Sequence, residues 1–270
     1  MNGLLTRRNF IRGGVASTAL AGGGLAYGGG FGLHWVEVKR VRLDLGLGRE
    51  LRVVALSDLH FDPLHEVDFL RDVMAMIAEV RPDVFVITGD LISRDAGRVD
   101  ELASILGEVS APLGRFVVLG NHDIWTDGDL ITRSLEDQGI RVLRNECVKL
   151  PGFGECYLSG LDSFWAGEPD ASVIDRTPER SRHVLLIHEP DPFDEVTDPR
   201  VRLQISGHTH GGQVRLPFIG ALVLPKWGEN YDAGLFQKAG RNLYVNRGLG
   251  SLSPHVRFLC RPEVTVFELG

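Results

Sequence analysis

Leu51-Arg52-Val53-Val54-Ala55-Leu56-Ser57-Asp58-Leu59-His60 (51–60) is a short apolar run that ends in a carboxylate and an imidazole. The pattern recurs four times. Val84–Gly89 precedes Asp90, Phe116–Gly120 precedes Asn121-His122-Asp123, Val184–Ile187 precedes His188, and Val201–Ser206 precedes Gly207-His208-Thr209-His210. Runs of this length, rich in Val, Ile, Leu and Phe and without polar alternation, predict strands buried on both faces. In open α/β folds the ligand site lies beyond the carboxyl ends of such strands. Every candidate ligand here sits at a carboxyl end, so the five runs predict one α/β domain with a site along one sheet edge.

The residue types specify the chemistry. Hard divalent cations take carboxylate, amide and imidazole ligands from several segments. Asp58 and His60 stand two apart, as do His208 and His210, a spacing that lets both members of a pair point one way as the strand exits. Gly89, Gly120, Gly207, Gly211 and Gly212 flank the ligands, where the backbone must turn sharply or approach an ion closely. Taken singly, Asp58 reads equally well as a helix N-cap, Asn121-His122 as a turn and His188 as a loop histidine. Five strand ends carrying these types together do not reduce to such readings.

In this order the blocks Asp58-Leu59-His60, Gly89-Asp90, Gly120-Asn121-His122-Asp123, His188 and Gly207-His208-Thr209-His210 resemble the calcineurin-like metallophosphoesterases, over roughly residues 51–212. The stretch Gly207–Gln213 and the closing Cys260–Val266 are similar to the bacterial YaeI- and YkuE-like phosphodiesterase subgroup. That subgroup in turn resembles the UDP-2,3-diacylglucosamine pyrophosphatases of lipid A synthesis. The resemblance implies a four-layer αββα sandwich spanning residues 34–270 and two divalent cations per chain. It implies Asp58, His60 and His210 as ligands of the first metal and Asn121, His188 and His208 as ligands of the second, with Asp90 bridging. His122 would touch no metal and would act as the acid for the leaving oxygen. Asp123 would either orient the His122 ring or cap the segment that follows.

General chemistry agrees with that assignment. Two adjacent cations activate a bridging water as hydroxide near neutral pH and screen the phosphoryl oxygens, so no serine or cysteine nucleophile is needed. Mixed nitrogen and oxygen ligation suits manganese first, with iron, zinc or cobalt as alternatives. A phosphomonoesterase or protein phosphatase would use the same ligands, and so would an envelope phosphodiesterase. Arg94 and Arg247, each near a strand end, are candidates for substrate binding. Trp165, Phe218 and Trp227 are candidates for an apolar rim around a lipid-bearing substrate.

Residues 1–33 carry a different message. Thr6-Arg7-Arg8-Asn9-Phe10-Ile11-Arg12 reads as a twin-arginine signal, followed by an uncharged stretch from Gly13 to Leu33. Nine glycines in that stretch make a poor isolated helix, although its length would span a bilayer. A twin-arginine signal or membrane anchor is expected, with export machinery as a partner, membrane association, and a periplasmic or envelope location. The net charge of −7 gives no basic footprint for nucleic acid. Cys147, Cys156 and Cys260 show no metal-like spacing, and an odd number argues against a full disulfide framework.

Overall fold

The computed structural model describes residues 32–61 and 66–270. The twin-arginine residues and the leader up to Phe31 lie outside the described residues. The strands are β1 (Glu37–Leu43), β2 (Leu51–Leu56), β3 (Val84–Thr88), β4 (Arg115–Val118), β5 (Arg141–Val142), β6 (Glu146–Lys149) and β7 (Cys156–Gly160). They continue with β8 (Arg182–Leu186), β9 (Val201–Ser206), β10 (Arg215–Leu216), β11 (Gly220–Ala221), β12 (Gly234–Lys238), β13 (Arg241–Val245) and β14 (Glu263–Leu269). Three longer helices are α1 (Val67–Val80), α2 (Val99–Gly107) and α3 (Asn121–Asp137).

Two six-stranded sheets result, ordered β1-β14-β2-β3-β4-β5 and β12-β13-β9-β8-β7-β6. In the first, β2 to β5 run parallel; in the second, β7, β8, β9 and β13 do. The continuous apolar runs are explained by the layers on each side. Val53, Ala55 and Val86 pack between the sheets against Leu158, Leu186, Leu203 and Ile205. Their neighbours Val54, Leu56, Phe85 and Ile87 point the other way, onto α1 and α2 through Val73, Ile77, Leu102 and Ile105. The two-residue period of a strand thus fills two cores from one apolar run.

Beyond the second sheet the layer is thinner than the expected sandwich. Short 3-10 segments cover that sheet: Ala171–Arg176 packs Val173 and Ile174 on Leu185, Ile187 and Val201, and Asp191–Asp194 packs Phe193 on Leu243 and Val245. Two further details differ from expectation. Pro217, Pro225 and the glycines of 211–238 read in sequence as an extended loop, but the stretch contains the β10–β11 hairpin and β12. The sequence pattern alone reads a helix over Asp127–Gln138, whereas α3 starts at Asn121 and breaks at Asp127 (φ −163°, ψ 78°). Asp127 accepts the Leu130 amide at 2.9 Å, so it caps the second segment, and that cap is the signal visible in sequence. The three cysteines are free thiols.

The sheets converge tightly at Gly160, at the end of β7. A Cβ there would lie 2.4 Å from Leu143 Cβ and 2.7 Å from Val118 Cγ1. Gly160→Ala is expected to destabilise the protein by about 1–3 kcal/mol through overpacking. Urea unfolding should show a lower midpoint at unchanged slope.

Candidate metal centre

The strand ends deliver their ligands through left-handed backbone. Asp58 (φ 50°), His60 (φ 44°), Asp90 (φ 53°), His208 (φ 72°) and His210 (φ 51°) all have positive φ. Each such residue with a Cβ costs roughly 1–3 kcal/mol and persists only where its surroundings over-determine it. Here the surroundings are backbone hydrogen bonds between the strand ends. Asp58 N donates to Gly89 O (2.9 Å), His60 N to Asp90 O (3.0 Å), Gly207 N to His188 O (2.9 Å) and Gly250 N to Asp58 O (2.8 Å). The paired ligands therefore converge because the chain leaves the strand and turns left-handed at each, rather than through the alternation of an extended strand. At Gly207 a side chain has no room: its Cβ would lie 1.7 Å from Ser57 Oγ and 2.3 Å from Asp58 Oδ2.

Two clusters form. Asp58, His60 and His210 make one, with His60 Nε2 3.0 Å from His210 Nε2 and His210 Nε2 3.5 Å from Asp58 Oδ1. Asp90, His188 and His208 make the other, with His208 Nδ1 3.1 Å from His188 Nε2 and His188 Nε2 3.3 Å from Asp90 Oδ2. The same Asp90 oxygen lies 3.6 Å from His60 Nε2, so this carboxylate stands between the clusters. Nitrogens that each sit about 2.1 Å from one metal at right angles lie about 3 Å apart, which is the separation seen in both pairs. Asn121 supports the fit: it is buried, and its Oδ1 has no hydrogen-bond partner. An orphaned buried amide oxygen is costly and is relieved by a cation.

The outer nitrogens of the rings are tied back. His188 Nδ1 donates to Thr88 O (2.7 Å) and His208 Nε2 to Lys226 O (2.8 Å). His60 Nδ1 lies 3.1 Å from Ser93 Oγ. Such bonds fix the tautomer and aim the other nitrogen at the site. His210 is the exception, since its Nδ1 is buried without a partner.

A family model described as calcineurin-like phosphoesterase matches residues 51–212, the segment from β2 through the last ligand. The chain belongs to the calcineurin-like phosphoesterase family. An uncharacterized metallophosphoesterase of Bacillus subtilis, YkuE, is 36% identical over 98% of both chains. Phosphodiesterase YaeI of Escherichia coli is 30% identical over 98% of this chain and all of its own. An uncharacterized metallophosphoesterase of Aquifex aeolicus is 31% identical over 87% of this chain and 92% of its own.

In this metallophosphoesterase, burial sets the protonation of the ligands. Burial pushes Asp58 up to about 6 and His60 and His208 down to about 3 and 4, which keeps those two rings neutral and ready to ligate. His210 is likewise held low by burial. Burial disfavours a charge on His188 as well, but the Asp90 carboxylate outweighs it and holds this ring well above the usual histidine range.

His122 lies outside both clusters. Its Nδ1 is 2.9 Å from Ser93 O, its backbone N donates to Asp90 Oδ1 (2.9 Å), and its ring meets His60 edge-on at 5.0 Å. Ser93 O therefore holds the ring, and the expectation that Asp123 orients it is corrected. Asp123 accepts Gly120 N and Leu91 N at 2.9 Å and Ile92 N at 3.2 Å, joining the start of α3 to the loop after β3. Burial raises this carboxyl to about 7. It is a cap, the second of the two roles weighed for it.

Arg247 as a substrate ligand is also corrected. Its guanidinium donates to Glu263 at 2.5 Å and Glu37 at 2.8 Å and is only 15% exposed, so it joins β1, β13 and β14. Arg94 is exposed and follows Ser93, beside the site. Of the expected rim, Trp165 meets His208 edge-on at 5.6 Å and Trp227 packs near Phe164, whereas Phe218 stands away on the β10–β11 hairpin.

Three residues were missed in the sequence. Trp125 packs against His122 (5.5 Å) and Trp165 (5.0 Å), completing an aromatic wall. It stands three after His122, a helical neighbour once α3 starts at Asn121. Glu189 accepts from Phe164 N (3.0 Å), Trp165 N (3.2 Å) and Ser163 Oγ, holding the Trp165 loop. Its place directly after His188 was the available signal. Ser93, which touches both His60 and His122, carried none.

With Asp90 holding His188 well above the usual histidine range, a cation that takes its Nε2 is expected to displace a proton. Metal binding should release protons and weaken as pH falls. Manganese titrations by calorimetry at pH 7, in two buffers of different ionisation enthalpy, should give different apparent heats. Identical heats would contradict this assignment of the proton.

Proposed function

We propose that this phosphoesterase hydrolyses phosphodiester or pyrophosphate bonds in a lipid-bearing substrate, with a UDP-2,3-diacylglucosamine-like lipid as the leading natural candidate. The observation that carries the reading is the placement of His122, between the ligand His60 on one side and the Trp125–Trp165 wall on the other. The name of the Escherichia coli relative, a phosphodiesterase similar over nearly the full length, agrees with it.

Two divalent cations, manganese first, would be held by Asp58, His60 and His210 and by Asn121, His188 and His208, with Asp90 shared; bound there they supply positive charge against the phosphoryl oxygens and lower the pKa of the attacking water. The remaining work falls to the chain. Ser93 O accepts from His122 Nδ1, so a second proton on Nε2 makes an imidazolium that this carbonyl stabilises. That Nε2 proton passes to the leaving oxygen as the phosphorus–oxygen bond breaks. Exposed Arg94, next to Ser93, offers a guanidinium to a phosphoryl oxygen. Trp125, 54% exposed, and Trp165 offer an apolar face to the group beyond the phosphate and keep water from it.

A second reading rests on the leader. The Thr6–Arg12 twin-arginine pattern favours export to the periplasm or cell envelope, where an envelope phosphodiester such as a teichoic acid or phospholipid headgroup would meet the site. A nucleotide lipid is expected on the cytoplasmic side, so the two readings differ in substrate and in membrane side.

Manganese-loaded protein should be offered the nucleotide lipid, phospholipids, an aryl phosphodiester and an aryl phosphomonoester. Release of UMP is expected. Diester cleavage without action on the nucleotide lipid would sink the lipid candidate, and a preference for the monoester would sink the diester reading. His122→Ala should keep both metals and lose turnover by about 10²–10⁴, the usual worth of a general acid; full activity would remove the proposed acid.

A further inference from the structure

Between His210 and Lys226 the chain leaves the metal centre and returns to it. Gly211 and Gly212 follow His210 directly, and Lys226 O accepts from His208 Nε2 at the far end. Midway stands the β10–β11 hairpin, Arg215–Leu216 against Gly220–Ala221, with Phe218 at its tip. The segment is strongly apolar and in water. Phe218 is fully exposed, Val223 is 76% exposed, Ile219 70% and Leu222 53%, and Leu216 and Leu259 beside them are exposed too. Contiguous exposed apolar side chains of this size mark an interaction surface.

We infer that this hairpin seats in a lipid bilayer and holds the metal centre at the membrane surface; the inference rests on the reading of the substrate as lipid-bearing. Three observations favour a bilayer over another occupant. The charged residues between positions 211 and 228 are Arg215 and Lys226, both cationic, at the two roots of the apolar tip. Apolar side chains flanked by cations suit an anionic lipid surface. One of the cations is partly offset, since Arg215 pairs with Asp232 at 2.8 Å.

The N-terminal end of the described residues lies on the same side. Val214 pairs with Phe258, and Arg261, three residues on, lies over the Trp35 ring at 4.0 Å. Trp35 follows Gly32–His34, the first described residues, so the described chain begins next to the hairpin root. Finally, the hairpin is rigidly joined to the site. A Cβ on Gly212 would fall 2.5 Å from Ala221 Cβ, so the two arms are in contact at their base.

The full chain and its Phe218→Ser/Ile219→Ser/Val223→Ser variant should be compared by co-sedimentation with phosphatidylglycerol vesicles. The substituted side chains are exposed, so thermal melting and hydrolysis of a water-soluble aryl phosphodiester should not change. Vesicle partitioning should fall by about ten- to a hundredfold, the worth of removing even one large apolar side chain from the bilayer. A separate Phe218→Trp variant should gain fluorescence quenching by brominated lipid beyond that of the unsubstituted chain. Equal partitioning of the variant and the parent, no added quenching, or a change confined to oligomeric state would each overturn the inference. Failure on the soluble diester would instead fall on the phosphodiesterase reading, so the two are separable.

Discussion

Asp58, His60 and Asp90 from the first sheet and His188, His208 and His210 from the second crowd together at the strand ends, almost entirely out of water. Burying a carboxylate costs several kcal/mol unless a charge or a set of donors offsets it. Protein groups supply part of the offset: two bonds from His208 N reach Asp58, and the His122 amide reaches Asp90. The nitrogens that face one another at 3.0 and 3.1 Å leave an arrangement that a shared cation satisfies better than a shared proton. Much of the surrounding structure serves to hold this cluster together, from the left-handed ligand residues to the strand-end hydrogen bonds that fix them. The Asp123 cap ties the third strand end to the second for the same reason.

The strands and their ligands were legible because two independent signals coincide at each strand end. An apolar run says where the strand lies, and the ligand type at its exit says what the edge is for. What escaped were features made by contact between distant segments. Arg247 looks, in sequence, like a free cation among glycines, but its partners Glu37 and Glu263 arrive from both ends of the domain on β1 and β14. Asp123 looks like a companion to His122, yet its bonds go to a loop about thirty residues earlier. The first turn of α3 carried too weak a helical pattern to read, and Trp125 was lost with it. The thin outer layer on the second sheet has the same origin. Short 3-10 segments have no 3.6-residue period long enough to see.

A catalytic order emerges from these parts. In the proposed reaction the ligands would hold cations that attract phosphate, with His122 at the edge, its ring fixed by Ser93, and Trp125 and Trp165 shaping the approach. Glu189 makes the approach rigid by gripping the Trp165 loop from the residue next to a ligand. The apolar hairpin extends the same continuity outward, since its arms begin at one ligand histidine and end on the hydrogen bond of another. The proposed metal binding, substrate orientation and membrane docking would thus be connected through a few covalent steps along one chain.

Five strand ends arranged for two adjacent cations, with Asp90 between them, are the feature on which all else rests. Crystals grown with manganese, with anomalous data collected at its absorption edge, test it directly. Two peaks about 3.5–4 Å apart are expected, one within reach of Asp58, His60 and His210, the other of Asn121, His188 and His208, and both next to Asp90. A single peak, or a pair that leaves Asp90 or Asn121 without a metal, would contradict the account.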